Sequence, residues 1–312
     1  MTTKPAPSTE LTQDARSRHA AGEVLVGTAG WADADLLASG WYPAHVRTAA
    51  DRLACYAERF PLVEVNSSYY GIPAASTAQS WSQAPRGLTM NVKAYRLLTG
   101  QPTPAASLPA ELRARADGAW LSHRRTPPAL LEQAWELFHH SLEPLVSAGR
   151  LGLVLLQFPA SITADEQGSA QVDRALRLCR PLPAAVEWRH ASWLAPRQRE
   201  ASFDLLRRHE ASYVCVDMPR HSPAAMPATL EVTAPTAVVR LHGQSRRWLE
   251  GDKRERYRYD YTPAELRSWA ERALRLAERA ERVHMIVNTC CAGAAQRGAA
   301  ELQRAVQALN RS

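Results

Sequence analysis

The chain has 312 residues, 46% of them hydrophobic and 22% charged, with a net charge of +7. That composition is globular and excludes collagen-like, coiled-coil and wholly disordered chains. No stretch approaches the ~18 uninterrupted apolar residues of a membrane span, so a soluble, cytoplasmic protein with no membrane partner is expected.

Residues 1–22, MTTKPAPSTELTQDARSRHAAG, are polar and hold no apolar segment of signal-peptide length. They are predicted to be a disordered amino-terminal tail, and residues 23–310 a single domain. Eight short apolar runs follow. They are Val24–Val26, Leu62–Val65, Leu88–Lys93, Leu151–Leu156, Ala184–Glu187, Ser212–Val216, Ala237–Leu241 and Val283–Val287. Near-continuous apolar runs of this length suit parallel strands buried on both faces.

The segments between them carry helical signals. Leu53, Tyr56, Ala57 and Phe60 recur at three and four residues. Thr126-Pro127-Pro128 opens a stripe of Leu130, Leu131, Ala134, Trp135, Phe138 and Leu142. Thr262-Pro263-Ala264-Glu265 has the capping-box pattern with Pro at the first helical position. Eight strand–helix alternations in one chain of this length point to an α/β fold, a barrel or a doubly wound sheet, and a single-domain (β/α)8 barrel is the one expected. The long strand 3 to strand 4 connection, residues 94–150, is expected to cover part of the barrel mouth.

The apolar runs end in polar residues, and alternation sorts their direction. Glu64 and Asn66, Glu187 and Arg189, and Arg240 and His242 are each two apart, so each pair shares a face. The intervening valines and leucines would meet the outer helices, which turns the polar pairs into the barrel. Barrel active sites lie at these carboxyl ends. The expected catalytic set is Glu64 and Glu187 as general acid and base, with His242 and Lys93. The expected substrate-binding set is Asn66, Tyr70, Gln157, Arg189, His190, Trp193, Asp217, Arg240 and Asn288. Lys93 stands out because the chain uses 35 arginines and only 3 lysines. A lysine kept among so many arginines suits a point-charge phosphate binder, a base or an amine nucleophile.

A buried ion-pair network with no ligand is the competing reading, but ion pairs are poor core stabilisers, so a ligand site is favoured. The site is expected to act on a small anionic substrate, phosphorylated or carboxylated, as a hydrolase, lyase or isomerase. Glu64, Glu187, Asp217 and His242 could donate to a divalent metal, but no ligand spacing supports one and three nearby cations oppose it. No metal or cofactor is therefore expected. Nucleic acid is the alternative partner, suggested by the pI of about 9.4 and by the basic, aromatic segments Arg246-Arg247-Trp248 and 253–259. A non-catalytic scaffold is a third reading. The sequence does not fix the oligomeric state.

The five cysteines, Cys55, Cys179, Cys215, Cys290 and Cys291, are odd in number and form no CxxC pair. This excludes a disulfide scaffold and a structural zinc site. Adjacent Cys290 and Cys291 are the one pair whose spacing also suits redox chemistry.

The stretches VGTAGWADADLLASGWYP, YAERFPLVEVNSSYY, NVKAYRLLTGQPT, LGLVLLQFP, AVEWRHASWL, YVCVDMP, VVRLHG and YDYTPAEL occur in this order. Together they resemble the YecE-like proteins, the family of the domain of unknown function 72, over Val24 to Leu309. The resemblance implies a TIM barrel and no particular activity. It places the family's polar positions on Glu64, Asn66, Tyr70, Lys93, Gln157, Glu187, Arg189, His190, Trp193, Asp217, Arg240, His242 and Asn288. The family's barrel is similar to those of metal-dependent nucleases and sugar isomerases, which is an analogy of fold alone. Relatives usually carry paired asparagines after strand 8, where this chain reads Asn288-Thr289-Cys290-Cys291-Ala292-Gly293. Many also carry a histidine in the loop after strand 3, where it reads Gly100-Gln101-Pro102.

Overall fold

The computed structural model describes residues 21–116, 118–122, 126–219, 225–248 and 252–311, with 253 and 254 as backbone alone. The expected tail therefore lies outside the described residues as far as residue 20, as do the side chains of the basic pair at 253 and 254.

Eight strands run β1 (Glu23–Ala29), β2 (Leu62–Val65), β3 (Thr89–Lys93), β4 (Leu151–Gln157), β5 (Ala184–Glu187), β6 (Ser212–Asp217), β7 (Thr236–Leu241) and β8 (Arg282–Val287). All neighbours are parallel, and β1 pairs with both β2 and β8, closing the barrel. Outside lie α1 (Ala49–Ala57), α2 (Ala75–Ser82), α3 (Pro128–Ser147), α4 (Glu166–Cys179), α5 (Arg199–Arg208), α6 (Pro263–Ala277) and α7 (Ala294–Leu309). Both Thr48 before α1 and Thr262 before α6 form full capping boxes.

One expected alternation is missing. Among the described residues, the β6–β7 connection holds no helix. Prolines at 219, 223, 227 and 235 explain this, since each removes a backbone donor and clashes with a preceding helical turn. The β3–β4 connection is more ordered than a simple cover. It contains a two-stranded ladder, Thr103–Pro104 with Trp120–Leu121, a short helix Ala110–Arg113, and then α3.

The main core lies between the strands and the outer helices. The lumen holds a smaller apolar cluster of Leu25, Leu62 and Ile286. Near it His284 Nδ1 meets Asn91 Oδ1 at 3.1 Å, both residues buried. Gly152 makes room for this pair, because a Cβ there would stand 2.5 Å from Asn91 Oδ1 and 3.2 Å from His284 Cε1.

Tyr56 of α1 secures the join between β1 and β2. Its buried hydroxyl accepts from Thr28 N (2.9 Å), lies 2.9 Å from Thr28 Oγ1, and donates to Leu62 O (2.9 Å). Tyr56→Phe leaves these buried groups short of a partner, which costs about 1–3 kcal/mol. Urea unfolding should show that loss with an unchanged slope; a midpoint equal to that of the wild type would contradict the role given to the hydroxyl.

Candidate active site

Register decides which strand-end residues reach the lumen. Arg240 pairs with Ile286 on β8 and with Val216 on β6, so all three face inward. Glu64 pairs with Asn91, and Gln157 with Glu187, on the same inner face. At the centre the Arg240 guanidinium, 1% exposed, lies between two carboxylates. Nε donates to Glu64 Oε2 at 2.9 Å, one terminal nitrogen to Glu64 Oε1 at 2.5 Å, and the other to Glu187 Oε2. This fork-to-carboxylate geometry is the strong form of charge-assisted bonding.

Glu187 gathers the most partners. Its Oε1 accepts from Gln157 Nε2 (2.9 Å), meets His242 Nε2 (3.2 Å), and lies 2.5 Å from Arg189 Nε. Burial alone would push this carboxyl up; Arg189, Arg240 and His242 more than reverse that and hold it well below the usual carboxylate range. Asn288 Nδ2 lies 2.8 Å from His242 Nδ1, while His242 Nε2 lies between Glu187 Oε1 and a terminal nitrogen of Arg189 at 3.3 Å. Burial, helped by Arg189, lowers the His242 pKa to about 3, so the ring is neutral at physiological pH. Two arginines and two glutamates thus cancel.

Lys93 is different. It is half-buried, and among the described residues it forms no ion pair. Its Nζ stands 4.3 Å from the centroid of the Tyr69 ring. Burial, with repulsion from Arg240, lowers its pKa to about 7. Tyr69 in turn donates to Gln101 Oε1 (2.7 Å), and Gln101 Nε2 donates to Gln157 O (3.0 Å).

A cavity of about 450 Å³ opens above this network, lined by Asn66, Tyr69, Tyr70, Lys93, Gln157, Arg240, Tyr257 and Asn288. The buried Asn66 Oδ1 has no hydrogen-bond partner among the described residues. The far wall is the start of α7, where Gly293, Ala294, Ala295 and Gln296 line the space. No side chain caps this helix and its first turn holds no acidic residue. Ala294 N donates to Cys291 O at 3.0 Å, and the positive end of the helix dipole lies at this wall of the cavity. Asp33 and Asp35 line the rim, Asp33 occupied in accepting from Leu36 N at 2.9 Å. A second cavity of about 360 Å³, between residues 97–100 and the start of α4, holds none of the strand-end residues.

Three expected binding residues sit elsewhere. Asp217 pairs in register with outward-facing Leu241 and bonds Tyr261 (2.5 Å) and Gln244 (2.6 Å) under α6. His190 follows inward-facing Arg189 and so turns away, accepting from Ser192 N to cap the turn Ala191–Leu194. Trp193 is fully buried, stacked on Trp188 at 4.8 Å and bonded to Ile162 O. Conversely, Tyr69, Gln101, Tyr257 and the α7 start belong to the site but were not expected there. Among the described residues no three His, Cys, Asp or Glu side chains converge as a metal site.

The closed parallel barrel with its polar mouth defines a single-domain α/β barrel of the TIM type. Residues 25–312 match the family model described as protein of unknown function DUF72, and the chain belongs to that family. It is 26% identical to the UPF0759 protein YunF of Bacillus subtilis (strain 168) over 279 residues, covering 86% of this chain and 90% of that protein. The crystal structure of a DUF72 family protein from Thermotoga maritima MSB8 superposes with a TM-score of 0.73 at 27% identity, covering 91% and 99% of the two chains. One from Enterococcus faecalis V583 gives 0.74 at 23% identity, covering 91% and 95%, and attests the fold.

The buried imidazoles fix an acid response. In the unfolded chain histidine takes up a proton below about 6.5. In the fold His242 holds out to about 3, and His284, lowered by burial, to about 4. The unfolded state therefore binds more protons, and stability falls as pH drops from 6.5, by up to about 1.4 kcal/mol per pH unit for each ring. Urea unfolding between pH 6.5 and 5 should show this decline, with a shallower slope in His284→Gln; an identical slope in that variant would show the ring titrates normally.

Proposed function

We propose that the protein is an enzyme performing general acid–base chemistry on a small anionic molecule, phosphorylated or carboxylated, at the carboxyl ends of the strands. The observation that carries this reading is Lys93: an amine in the cavity outside the central ion network, with a pKa lowered to about 7. At that value the group can give or take a proton near neutrality, which is what a general acid–base catalyst needs.

Arg189 and Arg240, expected among the substrate-binding residues, are already committed to Glu187 and Glu64. The anion is better met by Lys93 on one wall and the uncapped start of α7 on the other. A helix start following the last strand is a common phosphate site in such barrels. Asn66 Oδ1 and Asn288 would orient polar groups of the substrate. Glu64, Glu187 and His242 then act by position: they hold Arg240 and Gln157 in place, and Lys93 takes the proton-transfer role.

Nucleic acid is the less favoured partner. Arg247 and Arg258 both pair with Glu255, at 3.3 and 3.2 Å, and Arg297 pairs with Asp260 at 3.0 Å. Glu255 and Asp260 thereby offset part of the positive charge of this segment.

Thermal unfolding and calorimetry with inorganic phosphate, a sugar phosphate and a hydroxy acid test the reading. A ligand at one hundred times its Kd should stabilise the protein by about 2.7 kcal/mol. Lys93→Met should weaken that binding at least about tenfold, or ~1.4 kcal/mol, at pH 7. Stabilisation by oligonucleotides alone, vanishing as salt rises, would replace this proposal with the nucleic-acid reading. No response to any of them would favour a non-catalytic scaffold.

A further inference from the structure

The turn between β8 and α7 contains chemistry that the acid–base reading does not use. Cys290 and Cys291 are both thiols, with their Sγ atoms 2.9 Å apart. That is inside the van der Waals separation of two sulfurs and needs less than 1 Å of closure to reach the ~2.05 Å of a disulfide. The backbone is held in an unusual form here. Cys291, Ala292 and Gly293 are successively left-handed, with φ of 79°, 48° and 72°. Two of these are not glycine, and side chains avoid this region unless the surroundings impose it. The surroundings do: Cys290 N donates to Tyr257 O at 2.8 Å and Ala294 N to Cys291 O at 3.0 Å.

The pair is also reachable. Both residues are partly exposed, and they form the partition between the inner cavity and an outer one lined by Asp35, Arg258, Tyr259, Asp260 and Arg297. The other three cysteines are buried, and burial pushes the Cys179 and Cys215 thiols up to about 12. Since the thiolate is the reacting species, those buried groups are poor competitors.

We propose that Cys290 and Cys291 form a redox-active dithiol that low-molecular-weight disulfides convert reversibly to an intrachain disulfide. One cysteine thiolate attacks a sulfur of the disulfide RSSR, releasing RS⁻ and leaving a mixed disulfide. The neighbouring thiolate then attacks the protein-bound sulfur, forming the Cys290–Cys291 bond and releasing the second RS⁻. Two protein thiols are oxidised, one RSSR is reduced to two RSH, and the two thiol protons pass to the released thiolates. Consecutive Cα atoms lie about 3.8 Å apart, closer than ordinary disulfides prefer, so the bond is strained and easily reversed. This proposal is independent of the acid–base reading, since it concerns the thiols alone.

The test incubates the full-length protein with glutathione disulfide and then blocks remaining thiols with iodoacetamide. The expected result is a tryptic peptide of residues 283–297 lighter by two hydrogens, carrying neither glutathione nor alkyl groups, and fully restored by dithiothreitol. Cys291→Ser should instead accumulate a stable glutathione adduct on Cys290, and Cys290→Ser one on Cys291. A wild-type peptide that keeps both thiols alkylatable, retains glutathione, or is joined to a different cysteine would overturn the proposal.

Discussion

The guanidinium of Arg240, shared between Glu64 and Glu187, is the contact around which the mouth of the barrel is organised. It links β7 to β2 and to β5, three strands that are not mutual neighbours, through hydrogen bonds rather than through the sheet. A buried ion pair gains little net stability, because removing the charges from water costs about as much as their attraction returns. Its value here is in fixing positions. Each donor of the fork has a defined acceptor, so the carboxylates cannot rotate freely, and Glu187 in turn orients Gln157, Arg189 and His242.

That arrangement governs what remains reactive. Two glutamates balanced by two arginines leave no net charge in the network. On the proposed reading, an anionic ligand is then met by groups outside it. Those groups are Lys93 and the start of α7, which line the same cavity. The Lys93 pKa is lowered first by burial and then by repulsion from Arg240, with Glu187 and Glu64 pulling the other way. An arginine at position 93 would stay charged throughout, which gives a physical reason for a lysine in so arginine-rich a chain.

The fold and about half of the site were legible in the sequence, and the division has a physical basis. Strand positions follow from apolar runs, and inward direction follows from alternation wherever a run contains a polar residue to set its phase. Glu64, Glu187 and Arg240 each sit within a strand and were placed correctly in the lumen. Strand β6 reads Ser-Tyr-Val-Cys-Val-Asp, apolar on both faces through its centre, so nothing fixes its phase and Asp217 could not be assigned a side. His190 was decidable: it is adjacent to Arg189, and alternation turns it outward. Beyond the last strand residue, alternation lapses. The turn Ser67–Tyr69 places Tyr69 against Lys93, and Gln101 and Tyr257 arrive from connections whose course no local pattern dictates.

The loop after β8 is built on a different principle from the barrel network. The barrel network comes from residues that the strands hold in register, and a change at any one leaves a buried charge unmatched. The residues from Thr289 to Gly293 carry no such constraint, since their task is to turn the chain and present the start of α7. Here the turn depends on three left-handed residues in succession, of which only one is glycine. A glycine-rich turn would adopt this path with less strain, so the presence of Cys291 and Ala292 calls for a reason other than backbone geometry. The neighbouring thiol supplies one for the cysteine: in this left-handed turn the two adjacent sulfurs stand 2.9 Å apart, at the edge of the cavity where α7 begins.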